Sequence, residues 1–419
     1  MWKWTRRIGV SVLALLVALS AGVGLWWHAL DLDSQPPADP ATVAADVEFL
    51  RAPPPATRGR VLAVVTSTAQ LGDSGRRGGY ELTELSRAYY TFIANGYEVD
   101  IASPRGGEPP MRTDDDMVAA DHAFLNDPQA RVRLAATLPL ADVDASRYDA
   151  IYFVGGKGTM FDFPDDRTIA HLVGSIHDAG GVVGAVCHGP AALLGVVLDD
   201  GRPLLAGRSV TGFTNAEELF LIEDARQVFP FLLEDRLRQS GARFVEGPMY
   251  PNNTVVDGRL VTGQNPWSTW SVAEAMVRAL GHEPVARERS GEELAVRVVH
   301  AYRHGGMEAA LALRQQLPDA DKRLLLMHAL VAAMQGQPGD AWRLQRLGAW
   351  LGPERSAVRS IAPVTLPVPS RADGITGRFV WAGIDRCDCC WLRTTPTSQP
   401  ASASYGHARD RSRLRLHRR

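Results

Sequence analysis

A short apolar run that ends in a sharp turn is the feature that most restricts how this chain can fold. Val182-Val-Gly-Ala-Val186 is rich in β-branched residues, which favours a buried strand, and Cys187-His-Gly-Pro190 follows at once. A strand, a tight turn that carries a nucleophile and then a helix form the layout of a nucleophile elbow. The dipole of a following helix would stabilise the Cys187 thiolate, so the sequence predicts a lowered thiol pKa. The alternative is an inert, buried cysteine.

Short apolar runs alternate with amphipathic segments between residues 59 and 282. This alternation is typical of α/β folds, in which helices connect the strands of a parallel sheet. We therefore predict an α/β fold with a mostly parallel sheet and the nucleophile-elbow cysteine at one edge. Besides residues 182–186, the predicted strands are residues 61–66, 97–102 and 150–154, and the predicted early helix is residues 82–95, closed by Gly96.

The composition limits the partners and the redox chemistry that are expected. The chain has 419 residues, 45% of them hydrophobic, which allows a large core and more than one domain. Its formal net charge of -2 offers no broad basic face, so nucleic acid is not an expected partner. Cys187 stands alone in the sequence, which predicts a free thiol, and we expect no metal and no cofactor. A weak candidate for a soft metal is the cluster Cys387, Cys389 and Cys390.

The N-terminal region predicts a membrane anchor. Residues 8–30 are almost uniformly apolar and long enough to cross a bilayer as a transmembrane helix. Basic residues precede them and acidic residues follow, so residues 1–7 are expected in the cytoplasm and the catalytic domain outside it, on the periplasmic side if the protein is bacterial. The flanking charges are Lys3, Arg6, Arg7, Asp31 and Asp33. Two alternatives are a signal peptide cleaved near Ala18-Leu-Ser20 and a buried helix of a globular domain.

Changes in composition divide the rest of the chain. Residues 31–58 are rich in proline and alanine and predict a stiff linker, and residues 59–282, the α/β domain, are the predicted catalytic domain. Residues 283–352, the helical module, contain a capping-box sequence at Ser290-Gly-Glu-Glu293. This module could pack on the α/β domain, form a homodimer contact or bind a partner. Residues 353–419 form a basic tail that is expected to be disordered. The predicted helices of the module are residues 294–302, 307–316, 320–334 and 340–350.

Six motifs between residues 60 and 280 occur in an order that resembles the ThiJ/PfpI superfamily, which includes the parkinsonism-associated deglycase. They are Gly79-Tyr-Glu-Leu-Thr-Glu84, Gly96-Tyr-Glu-Val-Asp-Ile-Ala-Ser-Pro104, Gly155-Gly-Lys-Gly-Thr-Met-Phe-Asp-Phe-Pro164, Ala185-Val-Cys-His-Gly-Pro190, Thr211-Gly-Phe-Thr-Asn-Ala-Glu-Glu218 and Leu260-Val-Thr-Gly-Gln-Asn-Pro266. Within the superfamily, they are similar to the chaperone-like, glutathione-independent glyoxalase III branch. The resemblance implies a class I glutamine amidotransferase-like domain with a flavodoxin-like sandwich fold.

The resemblance implies a role for each residue of a catalytic set. Cys187 and His188 match the Cys-His pair of the family, in which the thiol is the nucleophile. Glu84 matches the carboxylate that approaches the nucleophile and moves protons. Glu218 falls where the glyoxalase branch has the acid that orients the histidine, and a slip of one residue would give this role to Glu217.

Backbone amides in two of these motifs are expected to bind a negatively charged oxygen or the substrate. Gly156 and the amide of His188 match the oxyanion-binding groups of the family, and Gly155 precedes Gly156 in the same loop. A tight loop that requires glycine would explain the same residues, and both interpretations can hold together. Lys157 departs from the pattern, because many relatives have histidine at this position.

The implied activity is glutathione-independent conversion of methylglyoxal, or a related 2-oxoaldehyde, to a 2-hydroxy acid such as lactate. This is a carbon-oxygen lyase reaction of the D-lactate dehydratase class. Cys187 would form a hemithioacetal with the aldehyde, and Glu84 would move a proton between the two carbons. Deglycation of glycated proteins would use the same chemistry. Two other classes stay open at this point: a stress chaperone or redox sensor that uses Cys187, and an amidohydrolase or peptidase.

Overall fold

A computed structural model of the chain describes residues 20–22, 24, 28, 32–113 and 117–349, all within one compact unit, residues 1–357. Its strands are β1 (Gly59–Val64), β2 (Tyr80–Glu81), β3 (Tyr97–Ser103), β4 (Met111–Arg112), β5 (Leu138–Pro139), β6 (Ala150–Phe153), β7 (Val182–Val186), β8 (Ser209–Val210), β9 (Arg243–Phe244), β10 (Thr254–Asp257) and β11 (Leu260–Gly263). Its helices are α1 (Glu48–Arg51), α2 (Leu82–Ala94), α3 (Ala119–Asn126), α4 (Pro128–Ala135), α5 (Thr159–Asp162), α6 (Arg167–Asp178), α7 (Asn215–Leu221), α8 (Ala225–Val228), α9 (Leu233–Gln239), α10 (Thr269–Ala279), α11 (Gly291–Gln316), α12 (Lys322–Met334) and α13 (Pro338–Gly348).

A seven-stranded sheet forms the centre of the α/β domain, in the order β10-β11-β7-β6-β1-β3-β5. Every neighbouring pair is parallel except β10 with β11. In the middle of the sheet, Val61 of β1 lies opposite Val99 of β3 on one side and Ala150 of β6 on the other. The predicted α/β fold with a mostly parallel sheet is therefore confirmed.

Helices cover the central strands on both faces. Every residue of β6 and β7 is buried, which a sheet with one exposed face would not allow. The chain passes through α2 between β1 and β3, and through α6 between β6 and β7, in opposite directions along the sheet. Right-handed crossovers therefore put α2 and α6 on opposite faces. The carboxyl ends of β6 and β7 meet at one edge, where ligands of open α/β sheets bind.

The predicted strands and the early helix are present, with boundary shifts of two residues or fewer. The largest shift is at β1, but the pairing continues beyond its end, because Val65 N–H donates to the Ala102 carbonyl at 2.9 Å. The early helix, α2, ends at Ala94 and is closed, as predicted, by Gly96, whose φ of 82° lies in the left-handed region that favours glycine.

In its described part, residues 283–349, the helical module consists of α11, α12 and α13 around a small core of its own, in which Leu325 and Leu347 are completely buried. The predicted capping box is present, with Ser290 Oγ accepting from Glu293 N–H at 3.3 Å and a Glu293 carboxylate oxygen accepting from Ser290 N–H at 2.9 Å. The backbone of α11 is not helical at Gly306, where φ is 73° and ψ is -169°, so the predicted break in this region is confirmed. The division of the chain into separate domains stays a prediction.

Residues 32–51, within the predicted linker, pack against the α/β domain. Val47 is buried in the main core, and the ring of Phe49 meets the ring of Trp270 edge-on at 6.0 Å. The apolar side chains that lie among the prolines explain the difference from a free spacer, because burying them is favourable. This part of the segment is held in place along the surface of the domain.

The predicted membrane anchor finds no support in the described residues. None of the helices in the described residues is long and apolar enough to cross a bilayer. The longest, α11, has acidic residues in its first turn and is interrupted at Gly306. The predicted localisation as a single-pass membrane protein with an extracytoplasmic catalytic domain therefore needs correction: no described helix provides the span that it requires. Several sequence predictions fall outside the described residues: residues 1–7, residues 8–30 apart from 20–22, 24 and 28, the tail 353–419, and Cys387, Cys389 and Cys390 within it.

Candidate active site

Cys187 lies at the turn after β7, as the sequence predicted. Its φ of 58° is in the left-handed region, which residues other than glycine rarely adopt. Two hydrogen bonds hold this conformation: Cys187 N–H donates to the Gly263 carbonyl at 2.9 Å, and the Cys187 carbonyl accepts from Phe213 N–H at 2.8 Å. Backbone strain of this kind costs about 1–3 kcal/mol and persists only where the surroundings enforce it. The turn therefore fixes the direction of the thiol.

A five-residue 3₁₀ helix, Gly189–Leu193, follows the turn where the sequence predicted a helix. So short an element has few aligned peptide dipoles and gives little stabilisation to a thiolate. Gly189 is tightly confined, because a Cβ there would lie 2.4 Å from the Phe153 carbonyl oxygen. Leu194 then turns to an extended conformation and ends the helix.

Cys187, His188 and Glu218 form a hydrogen-bonded line of buried side chains. Cys187 Sγ lies 3.2 Å from His188 Nδ1, and His188 Nε2 lies 2.5 Å from Glu218 Oε2. An ionised Glu218 accepts a hydrogen bond from Nε2–H, which leaves Nδ1 as the acceptor that faces the thiol. This line of groups can move the thiol proton onto the imidazole.

The adjacent residues Glu217 and Glu218 have separate contacts. Glu217 forms a capping box with Thr214 at the start of α7: its carboxylate accepts from Thr214 N–H and Oγ1 at 3.1 and 2.9 Å, and its own N–H donates to Thr214 Oγ1 at 3.1 Å. Glu217 Oε1 also accepts from Tyr250 N–H and from the Asn265 side-chain amide, both at 2.9 Å. Glu217 therefore fixes the backbone at the start of α7, and Glu218 is the residue that faces the His188 imidazole.

Aromatic rings restrict the orientation of the His188 imidazole. The Phe213 ring lies 4.6 Å from it between centroids, with 30° between the planes. The Phe229 ring lies 6.1 Å away with 26° between the planes, and Phe161 is 6.1 Å from Phe229 in turn. Offset stacking of this kind favours one ring plane. The imidazole can therefore keep one nitrogen toward the thiol and the other toward the carboxylate.

Glu84 approaches the thiol from the first turn of α2 and is completely buried. Its Oε2 accepts a hydrogen bond from Gly155 N–H at 2.7 Å, and its carboxylate also forms a hydrogen bond with the Cys187 side chain. The Tyr152 hydroxyl donates to the Glu84 backbone carbonyl at 2.9 Å, which anchors this turn of the helix. The structure therefore brings Glu84 and Cys187 together, and their catalytic roles stay predictions.

Burial raises the pKa of the Cys187 thiol well above its usual range. The negative charges of Glu84 and Glu81 act in the same direction, and so does the hydrogen bond with Glu84. The Lys157 ammonium lowers this pKa, but its effect is smaller. The lowered thiol pKa expected from the sequence is therefore wrong, because burial of the thiol and two nearby carboxylates raise the pKa and the following helix is too short to offset them. Since the thiol keeps its proton at neutral pH, its attack on a substrate requires a base.

The loop after β6 requires glycine at two consecutive positions. A Cβ on Gly155 would lie 2.6 Å from Glu84 Oε2. Gly156 has a φ of 105°, and a Cβ there would lie 2.4 Å from the Gly79 carbonyl oxygen. The sequence predicted that Gly155 helps to bind the substrate oxygen. In the structure, its N–H donates to Glu84 instead. The amides of Gly156 and His188 remain the candidates for that task.

Sequence reasoning missed two residues near the thiol and noted a third only as a departure from the family pattern. Glu81 acts on the thiol through its charge. Burial, followed by the nearby charge of Glu84, raises the pKa of Tyr152, which lies beside Glu84 and Cys187. Glu81 falls in the same motif as Glu84, which is the signal that could have identified it. Lys157, the residue that departs from the family pattern, places a positive charge near the thiol. In the part of the chain that the structure describes, no group of three or more His, Cys, Asp or Glu side chains could hold a metal ion.

The part of the chain that contains the candidate site is similar in sequence to known proteins. The sequence profile of the DJ-1/PfpI family matches residues 77–279. Glyoxalase 3 of Candida albicans is 32% identical over 236 residues, which cover 52% of this chain and 97% of that relative. The glutathione-independent glyoxalase HSP31 of Saccharomyces cerevisiae is 34% identical over 237 residues, which cover 53% of this chain and 98% of that relative.

A solved structure agrees with these matches. The X-ray structure of Rapid Encystment Protein 24 kDa from Francisella tularensis is 36% identical to this chain, with a TM-score of 0.51 over 54% of this chain and 100% of that one. The matched profile includes every residue of the candidate site and ends before the helical module. With identity above 30% over nearly the whole length of two relatives, the resemblance stated from the motifs is confirmed, and the chain belongs to the DJ-1/PfpI (ThiJ/PfpI) family.

Proposed function

We propose that this chain is a cysteine-dependent, glutathione-independent glyoxalase that converts methylglyoxal or a related 2-oxoaldehyde to a 2-hydroxy acid, which is lactate for methylglyoxal. The observation that carries the proposal is the contact of two acid-base groups with one thiol, since both His188 and Glu84 hydrogen-bond the Cys187 side chain. The names of the Candida and Saccharomyces relatives, both of which are called glyoxalases, support it. In the reverse direction the reaction removes water from lactate, which is the basis of the lyase assignment.

In the first step, the Cys187 sulfur adds to the aldehyde carbon. A thiol with a raised pKa must lose its proton as the sulfur attacks, and His188 Nδ1 lies 3.2 Å from the sulfur as the acceptor. Glu218 stabilises the imidazolium that forms. The carbon–sulfur bond is made, and the imidazolium returns the proton to the former aldehyde oxygen. The product is a neutral hemithioacetal.

In the second step, Glu84 moves a proton between the two carbons. Its carboxylate removes the hydrogen of the former aldehyde carbon, and the electron pair moves toward the ketone oxygen to give an enediolate. The amides of Gly156 and His188 would stabilise the negative oxygen. The protonated Glu84 then delivers its proton to the neighbouring carbon, and the hydroxyl proton of the first carbon passes to the negative oxygen of that neighbour, which leaves a thioester of the 2-hydroxy acid on Cys187.

In the third step, water hydrolyses the thioester. Neutral His188 takes a proton from the attacking water, the carbon–sulfur bond breaks, and the sulfur leaves with a proton as the Cys187 thiol. One water has been added to the substrate. Oxidation of the aldehyde carbon is balanced by reduction of its neighbour, so the reaction requires no external oxidant and no glutathione.

Two substitutions test the assignment in the full chain. Cys187→Ala removes the nucleophile, and Glu84→Gln removes the proton carrier while it keeps the shape of the side chain. Each is expected to lower the rate of lactate formation from methylglyoxal, measured without glutathione, by about 10²- to 10⁴-fold. Glu98→Gln, at an exposed position of β3, is the control and should leave the rate unchanged. Turnover at the wild-type rate in either test variant would contradict the proposal.

A cysteine amidohydrolase or peptidase is the second candidate, because cysteine hydrolases also use a line like Cys187, His188 and Glu218. Hydrolysis includes no proton transfer between carbons, and Glu84, which raises the thiol pKa, would hinder it. A panel of 2-oxoaldehydes, glycated peptides and amides separates the candidates. Amide hydrolysis that survives Glu84→Gln would support a hydrolase. Release of glycation adducts that Glu84→Gln abolishes would add protein deglycase activity to the glyoxalase.

A further inference from the structure

Buried contacts connect the helical module to the elements that carry the candidate site. The module lies beyond residues 77–279, the segment that matches the family profile, yet it belongs to the same compact unit as the α/β domain. One contact reaches α2, the helix of Glu84. Another reaches Tyr250, whose amide holds Glu217 at the start of α7. The elements that carry Glu84 and Glu218, the acidic partners of the Cys-His pair, are therefore both connected to the module.

The first contact is a buried ion pair between α2 and the module. Arg87 Nη2 lies 3.0 Å from Asp121 Oδ2 in the α/β domain, and Arg87 Nη1 lies 3.0 Å from Glu292 Oε2 in α11. All three side chains are buried. A guanidinium removed from water needs compensating charges, and loss of one partner of a buried pair costs about 3–5 kcal/mol. Glu292 thus supplies part of the negative charge that lets Arg87 stay buried.

The position of Arg87 affects Glu84 because both belong to the first half of α2. Residues three apart are neighbours on a helix surface, so a shift of one carries the other with it. The Glu84 carboxylate must reach Gly155 N–H at 2.7 Å and the Cys187 side chain at the same time. Displacement of a catalytic group by about 1 Å can lower a rate by about 10²-fold.

The second contact is between two rings. His328 of α12 is 1% exposed, and its imidazole lies 6.4 Å from the Tyr250 ring in an edge-to-face arrangement. Tyr250 N–H donates to Glu217 Oε1 at 2.9 Å. Glu217 caps α7, and the next residue of that helix, Glu218, is bound to His188. His328 therefore covers the loop that fixes the start of α7.

We propose that the helical module is a positioning element of the catalytic site, and that Glu292 is its main positioning residue. Through Arg87, Glu292 fixes α2 and keeps the Glu84 carboxylate in reach of Cys187. His328 supports the second acid in the same way, through Tyr250. The effect of Glu292 on the catalytic rate rests on the proposed function, whereas its effect on the distance between Glu84 and the Cys187 thiol does not.

Glu292→Gln in the full chain tests the proposal. Glutamine keeps the size of the side chain but not its charge, so α2 is expected to shift near Arg87 and kcat to fall by about tenfold. KM should change by less than about twofold, because Glu84 acts in the proton transfer and not in substrate binding. Glu292→Asp, which keeps the charge, should recover part of the loss. Glu308→Gln makes the same substitution at an exposed position of α11 and is the matched control.

A purely structural role predicts a different result. If Glu292 only stabilises the fold, Glu292→Gln lowers the melting temperature but keeps the wild-type kcat and the wild-type pH profile well below that temperature. This outcome would overturn the proposal. If Glu292→Gln does not fold, the same comparison is made with Glu292→Asp, whose shorter side chain lengthens the pair with Arg87 but preserves its charge.

Alkylation of Cys187 separates this proposal from the proposed function, because it needs no substrate. The negative charge of Glu84 contributes to the raised pKa of the thiol, so displacement of Glu84 should lower that pKa. In Glu292→Gln, iodoacetamide should therefore modify Cys187 several-fold faster near neutral pH, with the profile shifted to lower pH. An unshifted profile would overturn the positioning role. A shifted profile in a protein that turns over no 2-oxoaldehyde would overturn only the proposed function.

Discussion

At the scale of single residues, the Cys187 thiol is protonated at rest and lies between two groups that can take its proton. Burial and the carboxylates of Glu84 and Glu81 raise its pKa, and His188 Nδ1 lies 3.2 Å from the sulfur. Oxidation of cysteine depends on thiolate character and exposure, and Cys187 is only 3% exposed. The resting site therefore favours a nucleophile that is activated when substrate binds over a thiol that senses oxidants.

Lys157→Met is expected to raise the pKa of Cys187 further, because it removes the cation that lowers this pKa. Alkylation of Cys187 by iodoacetamide should become several-fold slower near neutral pH, and the alkylation profile should move to higher pH. Lys157→Arg keeps the charge and is the control. Coincident profiles for Lys157→Met and the wild type would show that the ammonium group does not act on the thiol.

The sequence predicted which side chains meet at the candidate site better than it predicted their electrostatics. Cys187 and His188 are adjacent and follow a clear strand, so a local pattern indicates them. Glu84 entered the set through the family resemblance, since 71 residues separate it from Gly155, to which it is bound. The direction of the thiol pKa shift depends on how deeply Cys187 is buried and on how close Glu84 and Glu81 lie to it. That packing has no local signature in the sequence.

At the scale of elements, the start of α7 gives different tasks to two adjacent glutamates. Glu217→Ala is expected to lower the free energy of unfolding by about 2–4 kcal/mol, because it removes the capping box and leaves the amides of Tyr250 and Asn265 without this acceptor. Glu218→Gln should change that free energy by less than about 1 kcal/mol and lower kcat instead. Urea denaturation and lactate formation measure the two effects. Equal losses of stability in the two variants would contradict this division.

Elements were predicted correctly where the local pattern and the tertiary packing agree. The apolar runs of β6 and β7 are strands because helices cover both faces, and Gly306 interrupts α11 because its backbone conformation favours glycine. The segment after Cys187 is a 3₁₀ helix in which Gly189 packs against the Phe153 carbonyl of β6, a tertiary contact that no local pattern predicts. The two-residue strands, among them β2, β4 and β5, are too short to show a periodicity.

At the scale of the whole molecule, segments from opposite ends of the described chain meet. The side-chain amide of Gln35 donates to the Ala320 carbonyl at 3.1 Å, across a sequence separation of 285 residues, and its oxygen accepts from Lys322 N–H at 2.8 Å. Arg287, just before the module helices, lies 4.0 Å over the Trp270 ring of α10. A proline-rich composition predicts stiffness but does not specify the surface on which a segment packs, so these contacts could not be predicted.

The packing of the helical module on the α/β domain is expected to weaken in acid because of His328. Burial, with a smaller contribution from the charge of Arg303, lowers the pKa of His328 to about 3. Neither of its ring nitrogens has a hydrogen-bond partner among the described residues. In the unfolded chain the His328 imidazole takes up a proton at about pH 6.5, whereas in the folded chain it does not. The contribution to stability is therefore complete above that pH and is lost progressively as the pH falls toward about 3.

His328→Phe isolates this contribution, because phenylalanine keeps an edge-to-face contact with the Tyr250 ring but cannot be protonated. Below about pH 6, the free energy of unfolding in urea should fall more steeply in the wild type than in the variant, by up to about 1.4 kcal/mol per pH unit. His171→Phe, at an exposed position of α6, should keep the wild-type slope. Parallel slopes in the wild type and His328→Phe would mean that the imidazole reaches water before the chain unfolds. The module would then open separately from the α/β domain, and its hold on the start of α7 would be reversible in the native protein.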